Sequence, residues 1–151
     1  MSDYNELYQQ IILEHNKKPH NFRIIEDANA YSLGKNPLCG DQFAVYLKLN
    51  QDNVVEDIAF QGEGCAISKA SASLMTKALK GKSKTEAATM ISTFHQLLTG
   101  SLSETSAKDV LGRLTILSGV KQYPVRVKCA TLAWHTLSAA LAGQEEATTE
   151  D

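Results

Sequence analysis

Three cysteines and one aspartate are the residues of this 151-residue chain whose types and setting could do chemistry. Cys39 and Asp41 flank Gly40 in NPLCGDQF, Cys65 closes GEGC, and Cys129 follows YPVRVK. Thiolates bind soft metals and attack sulfur. Three thiolates leave a tetrahedral zinc one ligand short, and Asp41 is at hand to complete the set. With only Gly40 between them, the side chains of Cys39 and Asp41 can turn to the same side. Three thiolates and a carboxylate outweigh the charge of Zn²⁺, so Arg126 reads as a neutralising neighbour of the ligand set, with Lys128 adding charge just before Cys129. Plainer readings stand beside this one. Free cysteine is among the most buried residue types, and no CxxC pair argues for a metal. Asp41 could serve an Asx-type turn.

The elements that would position these residues can be read from period and punctuation. Tyr4, Leu7, Tyr8, Ile11 and Ile12 repeat with helical spacing, with Asp3 as a candidate cap and Pro19 ending the helix. A short strand is expected near 28–33. FAVYLKLN (43–50) alternates, VVEDIAFQG (54–62) is a second strand, and QDN turns between them, which predicts a hairpin over 42–61. AISKASASLMTKALKG is helical, with Gly81 closing it. Ser83 and Glu86 form a capping-box pattern that opens a helix through Leu98. A weaker helix is expected over about 106–118, then an extended YPVRVK, because Pro124 disfavours helix in the residue before it. A final helix is expected over 129–143. The sum is an α+β domain over 1–143, a small antiparallel sheet of about three strands with helices on one face. Residues 144–151 read as a frayed acidic tail.

On this reading each cysteine sits at a junction between elements, whereas core cysteines sit inside them. Cys65 and Cys129 would each open a helix, where unpaired N–H groups lower a thiol's pKa. Gly40, Gly62 and Gly64 let backbone crowd close to a bound atom.

Composition excludes several classes. The formal net charge is −2, and four of the acids lie in the last seven residues, so the body carries no basic excess that would mark a nucleic-acid partner. No apolar stretch approaches a membrane span and no secretory signal is visible, so the chain reads as cytoplasmic. Its cysteines, odd in number and far apart, are not read as disulfides. A cysteine hydrolase needs a histidine beside its nucleophile. Only His135 lies near a cysteine in sequence, and it is out of phase with Cys129 on the same helix. His15, His20 and His95 read as solvent-facing, Trp134 and Leu137 as core.

NPLCGDQF, FQGEGCAISKASASLMTKALKGKS and YPVRVKCATLAW, in this order, resemble the U-type iron–sulfur assembly proteins, and LYQQIILEHNKKPHNF fits the same family. The resemblance covers residues 4 to 142. IscU-type members carry a histidine before the last cysteine, where this chain has Lys128. They also carry an LPPVK motif, where this chain has YPVRV. Residues 101–120 are additional. All three departures point to the SufU branch. That resemblance implies that Cys39, Asp41, Cys65 and Cys129 are zinc ligands. It implies that Cys39 accepts persulfide sulfur from a PLP-dependent cysteine desulfurase of the SufS type, making the chain a sulfur-transfer partner rather than a stand-alone enzyme. Other Suf assembly proteins and recipient apo-proteins are further implied partners. The alternatives are a scaffold that builds an Fe–S cluster on Cys39, Cys65 and Cys129, since thiolates suit iron as well as zinc, and an inert structural zinc domain.

Overall fold

A hairpin organises the sheet, and helices bury its inner face. The computed structural model describes the backbone of residues 2–38 and 40–149, and the side chains from residue 6 within that range. Helix α1 (Ser2–Lys17) leads through a connector to strands β1 (Ala30–Asn36), β2 (Asp41–Leu49) and β3 (Val55–Glu63). Helices α2 (Ala66–Leu79), α3 (Lys84–Leu98) and α4 (Glu104–Leu111), a 3₁₀ segment (Gly112–Val120) and helix α5 (Pro124–Leu141) follow, with a short strand β4 (Glu146–Thr148) last. The sheet runs β3-β2-β1-β4. The first two pairings are antiparallel, while β4 runs parallel to β1. The α+β expectation holds, with a fourth strand and a mixed sheet in place of a purely antiparallel one.

The predicted hairpin is β2–β3, and its inward residues Phe43, Val45, Leu47, Ile58 and Phe60 are fully buried. Strand β1 alternates too, but its inward positions are Ser32, Gly34 and Asn36. Small residues there let α5 sit close: a Cβ built on Gly34 would land on Thr136 Oγ1. Over the sheet, Trp134 of α5 stacks on Phe94 of α3 at 4.1 Å between ring centroids and donates Nε1–H to Ser71 Oγ of α2 at 3.1 Å. One aromatic pair thus ties three helices together, and its polar atom is paired. Helix α3 opens on the capping box expected from Ser83 and Glu86.

Four expectations need correction. The tail is not frayed over 146–148: the free edge of β1 recruits it, with Leu33 N–H donating to Glu145 O (2.8 Å) and Thr149 Oγ1–H to Asn36 Oδ1 (3.0 Å). The helix expected over 106–118 ends at Leu111, because Gly112 adopts φ 54° and the chain tightens into 3₁₀ turns. YPVRVK is extended only at Tyr123. Pro124 takes the first position of α5, where its missing N–H costs nothing and its fixed φ suits the helix. His15 is buried rather than solvent-facing.

Candidate metal centre

The site is assembled at one end of the sheet. Asp41 is the first residue of β2, opposite Asn36 of β1. Beside it β3 ends at Glu63, and the chain turns through Gly64 into Cys65, the N-cap of α2. Gly64 is required by space: a Cβ there would stand 2.7 Å from the Phe43 ring and 2.9 Å from Asp41 Oδ1. Helix α5 brings Cys129 from above. Because α5 begins at Pro124, Cys129 lies in its second turn, not at a helix start.

Asp41 is buried, and its carboxylate is held at both oxygens. Oδ1 accepts the N–H of Cys65 (3.0 Å) and Oδ2 accepts the hydroxyl of Ser68 (2.6 Å). The Cys65 sulfur lies 3.9 Å from Oδ2 and receives the N–H of Ser68 at 3.5 Å. Cys129 is buried and receives a long contact from Asn36 Nδ2 at 3.9 Å. One ligand atom each from Asp41, Cys65 and Cys129 falls within 4.8 Å of the others. Cys65 itself is exposed at the mouth. Its thiol is pulled down to about 6, first by hydrogen bonding from Cys129, then by the hydroxyl and N–H of Ser68. Burial and the Asp41 charge push the other way.

Two sulfurs and a carboxylate at this spacing suit a soft divalent ion. Bond lengths of 2.0–2.3 Å put tetrahedral ligands roughly 3.3–3.8 Å apart, a small contraction from the arrangement seen. Each Asp41 oxygen keeps a lone pair beyond the hydrogen bond it accepts. The turn reading of Asp41 is set aside by its partners, which lie 24 and 27 residues away rather than in its own loop.

Of the expected site residues, the structure therefore brings together Asp41, Cys65 and Cys129. Cys39 lies outside the described residues. Arg126 is exposed, with its guanidinium over the Tyr123 ring at 4.6 Å, and among the described residues that ring is its partner. His135 packs edge-on against His95, ring centroids 5.7 Å apart, and does not join the cluster. Burial lowers its pKa. Sequence reasoning missed Ser68 and Asn36. Ser68 stands three residues past the cap, where a side chain returns to the cap residue. Asn36 opens the NPLCGD stretch.

Residues 7–130 match the family model described as the NifU-like N terminal domain. This chain belongs to that family. It is 41% identical over 141 residues to the iron–sulfur cluster assembly scaffold protein IscU of Streptococcus pyogenes serotype M1, covering 93% of this chain and 86% of the relative. It is 40% identical over 144 residues to the zinc-dependent sulfurtransferase SufU of Bacillus subtilis, covering 95% of each. The crystal structure of a Fervidobacterium islandicum protein described as an iron–sulfur cluster assembly scaffold for the SUF system superposes with a TM-score of 0.81 at 36% identity, over 87% of this chain and 94% of that one. The family assignment and the α+β architecture expected from the sequence both hold. Among the described residues no helix is long and apolar enough to cross a membrane.

Proposed function

We propose that this U-type iron–sulfur assembly protein is a zinc-holding sulfur acceptor that takes persulfide sulfur onto Cys39 from a PLP-dependent cysteine desulfurase of the SufS type. The observation that carries the reading is the Asp41–Cys65–Cys129 cluster, with ligand atoms within 4.8 Å and Cys65 at its open mouth. Cys39, two residues from Asp41, is the fourth ligand. A zinc ion held by these side chains keeps the cysteines as thiolates. The chain's own residues do the rest. Asp41 is fixed by Cys65 N–H and Ser68, so the ligand set is held in place before a partner arrives. Leu38, Tyr123 and Val125 leave apolar surface open to solvent in the segments that lead into Cys39 and Cys129. In the transfer step the Cys39 thiolate attacks the outer sulfur of the partner's persulfide. A new S–S bond forms at Cys39, the partner's S–S bond breaks, and the electron pair leaves on the partner's cysteine as thiolate.

Cys39→Ala, assayed with a desulfurase of this type, is expected to lose sulfur uptake and stimulation whether or not zinc remains bound. Normal persulfide uptake by that variant would sink the proposal.

A second reading has a specific observation behind it. The likeness to the S. pyogenes IscU scaffold is as close as that to SufU, and the same sulfurs suit iron. Lys128, where IscU-type members resemble one another in carrying histidine, favours the acceptor. Metal analysis after growth with both iron and zinc separates the two. One zinc per chain with Cys39-dependent stimulation supports the acceptor; iron with acid-labile sulfide and no stimulation supports the scaffold.

A further inference from the structure

Away from the cysteines, a cavity of about 330 Å³ opens between α1, α2 and the α4–3₁₀ junction. Its floor is apolar, from Ile11, Leu74, Leu111 and Leu114. Its rim carries Lys77 and Arg113 against a single carboxylate, Glu14. Leu111, Arg113 and Leu114 all belong to the additional segment between the second and third cysteines, so that segment builds one wall.

The buried residue of the rim is His15, and its hydrogen bonding sets its tautomer. The Ser73 hydroxyl, fully buried, receives the backbone N–H of His20 at 2.8 Å and lies 2.7 Å from His15 Nδ1. A hydroxyl has one proton to give. Donated to Nδ1, it places the ring proton on Nε2. The opposite arrangement leaves a buried hydroxyl proton without an acceptor among the described residues, at a cost of about 1–3 kcal/mol. Among the described residues Nε2 has no hydrogen-bond partner, so its N–H is a donor available to the cavity. Burial lowers the pKa of the ring, and His20, Lys77 and Arg113 press in the same direction against Glu14.

We infer that this cavity binds a small organic monoanion, a carboxylate with a short aliphatic body. The Nε2–H of His15, the Lys77 ammonium and the Arg113 guanidinium supply donors for the carboxylate. The apolar floor takes the aliphatic part, the usual division of labour in a ligand cavity of this size between helices. Lys77 and Arg113 set against Glu14 leave the rim net positive, which suits an anion, and the apolar floor favours a carboxylate with an aliphatic body over inorganic phosphate, which has no apolar part to bury. A neighbouring hollow of about 400 Å³ shares Glu14, His15 and His20 and adds Lys17 and Lys18, which draw anions toward the mouth.

The test is a titration of the full chain, labelled in its histidine rings, followed by NMR. The probes are 4-methylpentanoate, 4-methylpentanamide and inorganic phosphate. The carboxylate is expected to shift the His15 ring signals saturably, with the amide inert and phosphate weaker. Lys77→Met and Arg113→Met, both at exposed positions, are each expected to weaken binding roughly tenfold or more. A carboxylate that leaves His15 unmoved, an amide or phosphate that binds as well, or binding that survives both substitutions would overturn the assignment.

Discussion

Asp41 and Ser68 form a 2.6 Å hydrogen bond across the mouth of α2, and the same carboxylate accepts the N–H of Cys65 at 3.0 Å. A strand start is thereby latched to a helix start, and the cysteine between them is carried along. Ser68→Ala is expected to cost about 1.5–3 kcal/mol, the net worth of a hydrogen bond to a charged group. Asp41→Ala is expected to cost more, because it strands two donors at about 1–3 kcal/mol each. If the two residues act as one latch, the double variant loses less than the sum of the singles. Urea denaturation of the four proteins measures this. Zinc affinity on the same samples is expected to fall further for Asp41→Ala than for Ser68→Ala. Additive losses with unchanged metal affinity would mean that Asp41 is neither a latch nor a ligand.

Gly64 makes room for that latch. An added methyl group would press on the buried Phe43 ring and on Asp41 Oδ1 at once. Gly64→Ala is expected to destabilise by about 1–3 kcal/mol, as overpacking does. It is also expected to lower zinc occupancy, because the carboxylate is one of the two groups displaced. Melting temperature and zinc content, read together, check both effects. A variant that melts normally and holds a full complement of zinc would show that the turn has slack.

The hairpin, the two capped helices and the placing of Cys65 at the start of α2 were legible because their signals are local. Alternation in FAVYLKLN, the Ser83–Glu86 box and the two glycines before Cys65 each act within a few residues. Strand β1 was poorly legible for a physical reason: its inward positions are Ser32, Gly34 and Asn36, chosen for the approach of α5 rather than for hydrophobicity. The start of α5 was misplaced because a proline that forbids helix before itself also favours helix from itself onward. Strand β4 could not be foreseen from an acidic stretch, since what orders it is the free edge of β1 more than 100 residues earlier. His15 was misread for the same kind of reason, its partner Ser73 lying 58 residues away.

The close approach at Gly34 makes a prediction of its own. Cys129 reaches the site only because α5 lies against β1, with Thr136 and Leu132 over Gly34. Gly34→Ala forces the two elements apart. The expected loss is about 1–3 kcal/mol or somewhat more, since both partners are fully buried. Because the separation also lifts Cys129, zinc affinity is expected to fall in the same variant. Gly34→Ser, no smaller, is expected to behave alike. A folded Gly34→Ala protein with unaltered stability and zinc affinity would show that α5 is not pinned there.

His15 gives the fold a pH dependence whose sign can be worked out. Burial is the main cause that holds its pKa below the ordinary 6.5. His20 in the connector, Lys77 on α2 and Arg113 on the 3₁₀ segment disfavour the proton as well, while Glu14 on its own helix favours it. The unfolded chain therefore binds a proton more readily than the folded one. The stability tied to the neutral ring is complete above pH 6.5 and declines as pH falls below that value toward the lower folded pKa. His135, also held low by burial, acts in the same direction. Urea denaturation between pH 7.5 and 5 is expected to show stability falling with acidification in the parent protein. In His15→Gln, which keeps an amide near Ser73 but cannot titrate, the fall is expected to be shallower, with the remaining slope shared by His135 and by Cys65, whose thiol, held at about 6 in the fold, also binds its proton more readily in the unfolded chain. An identical pH slope in the two proteins would mean that the imidazole takes up its proton as easily inside the fold as outside it.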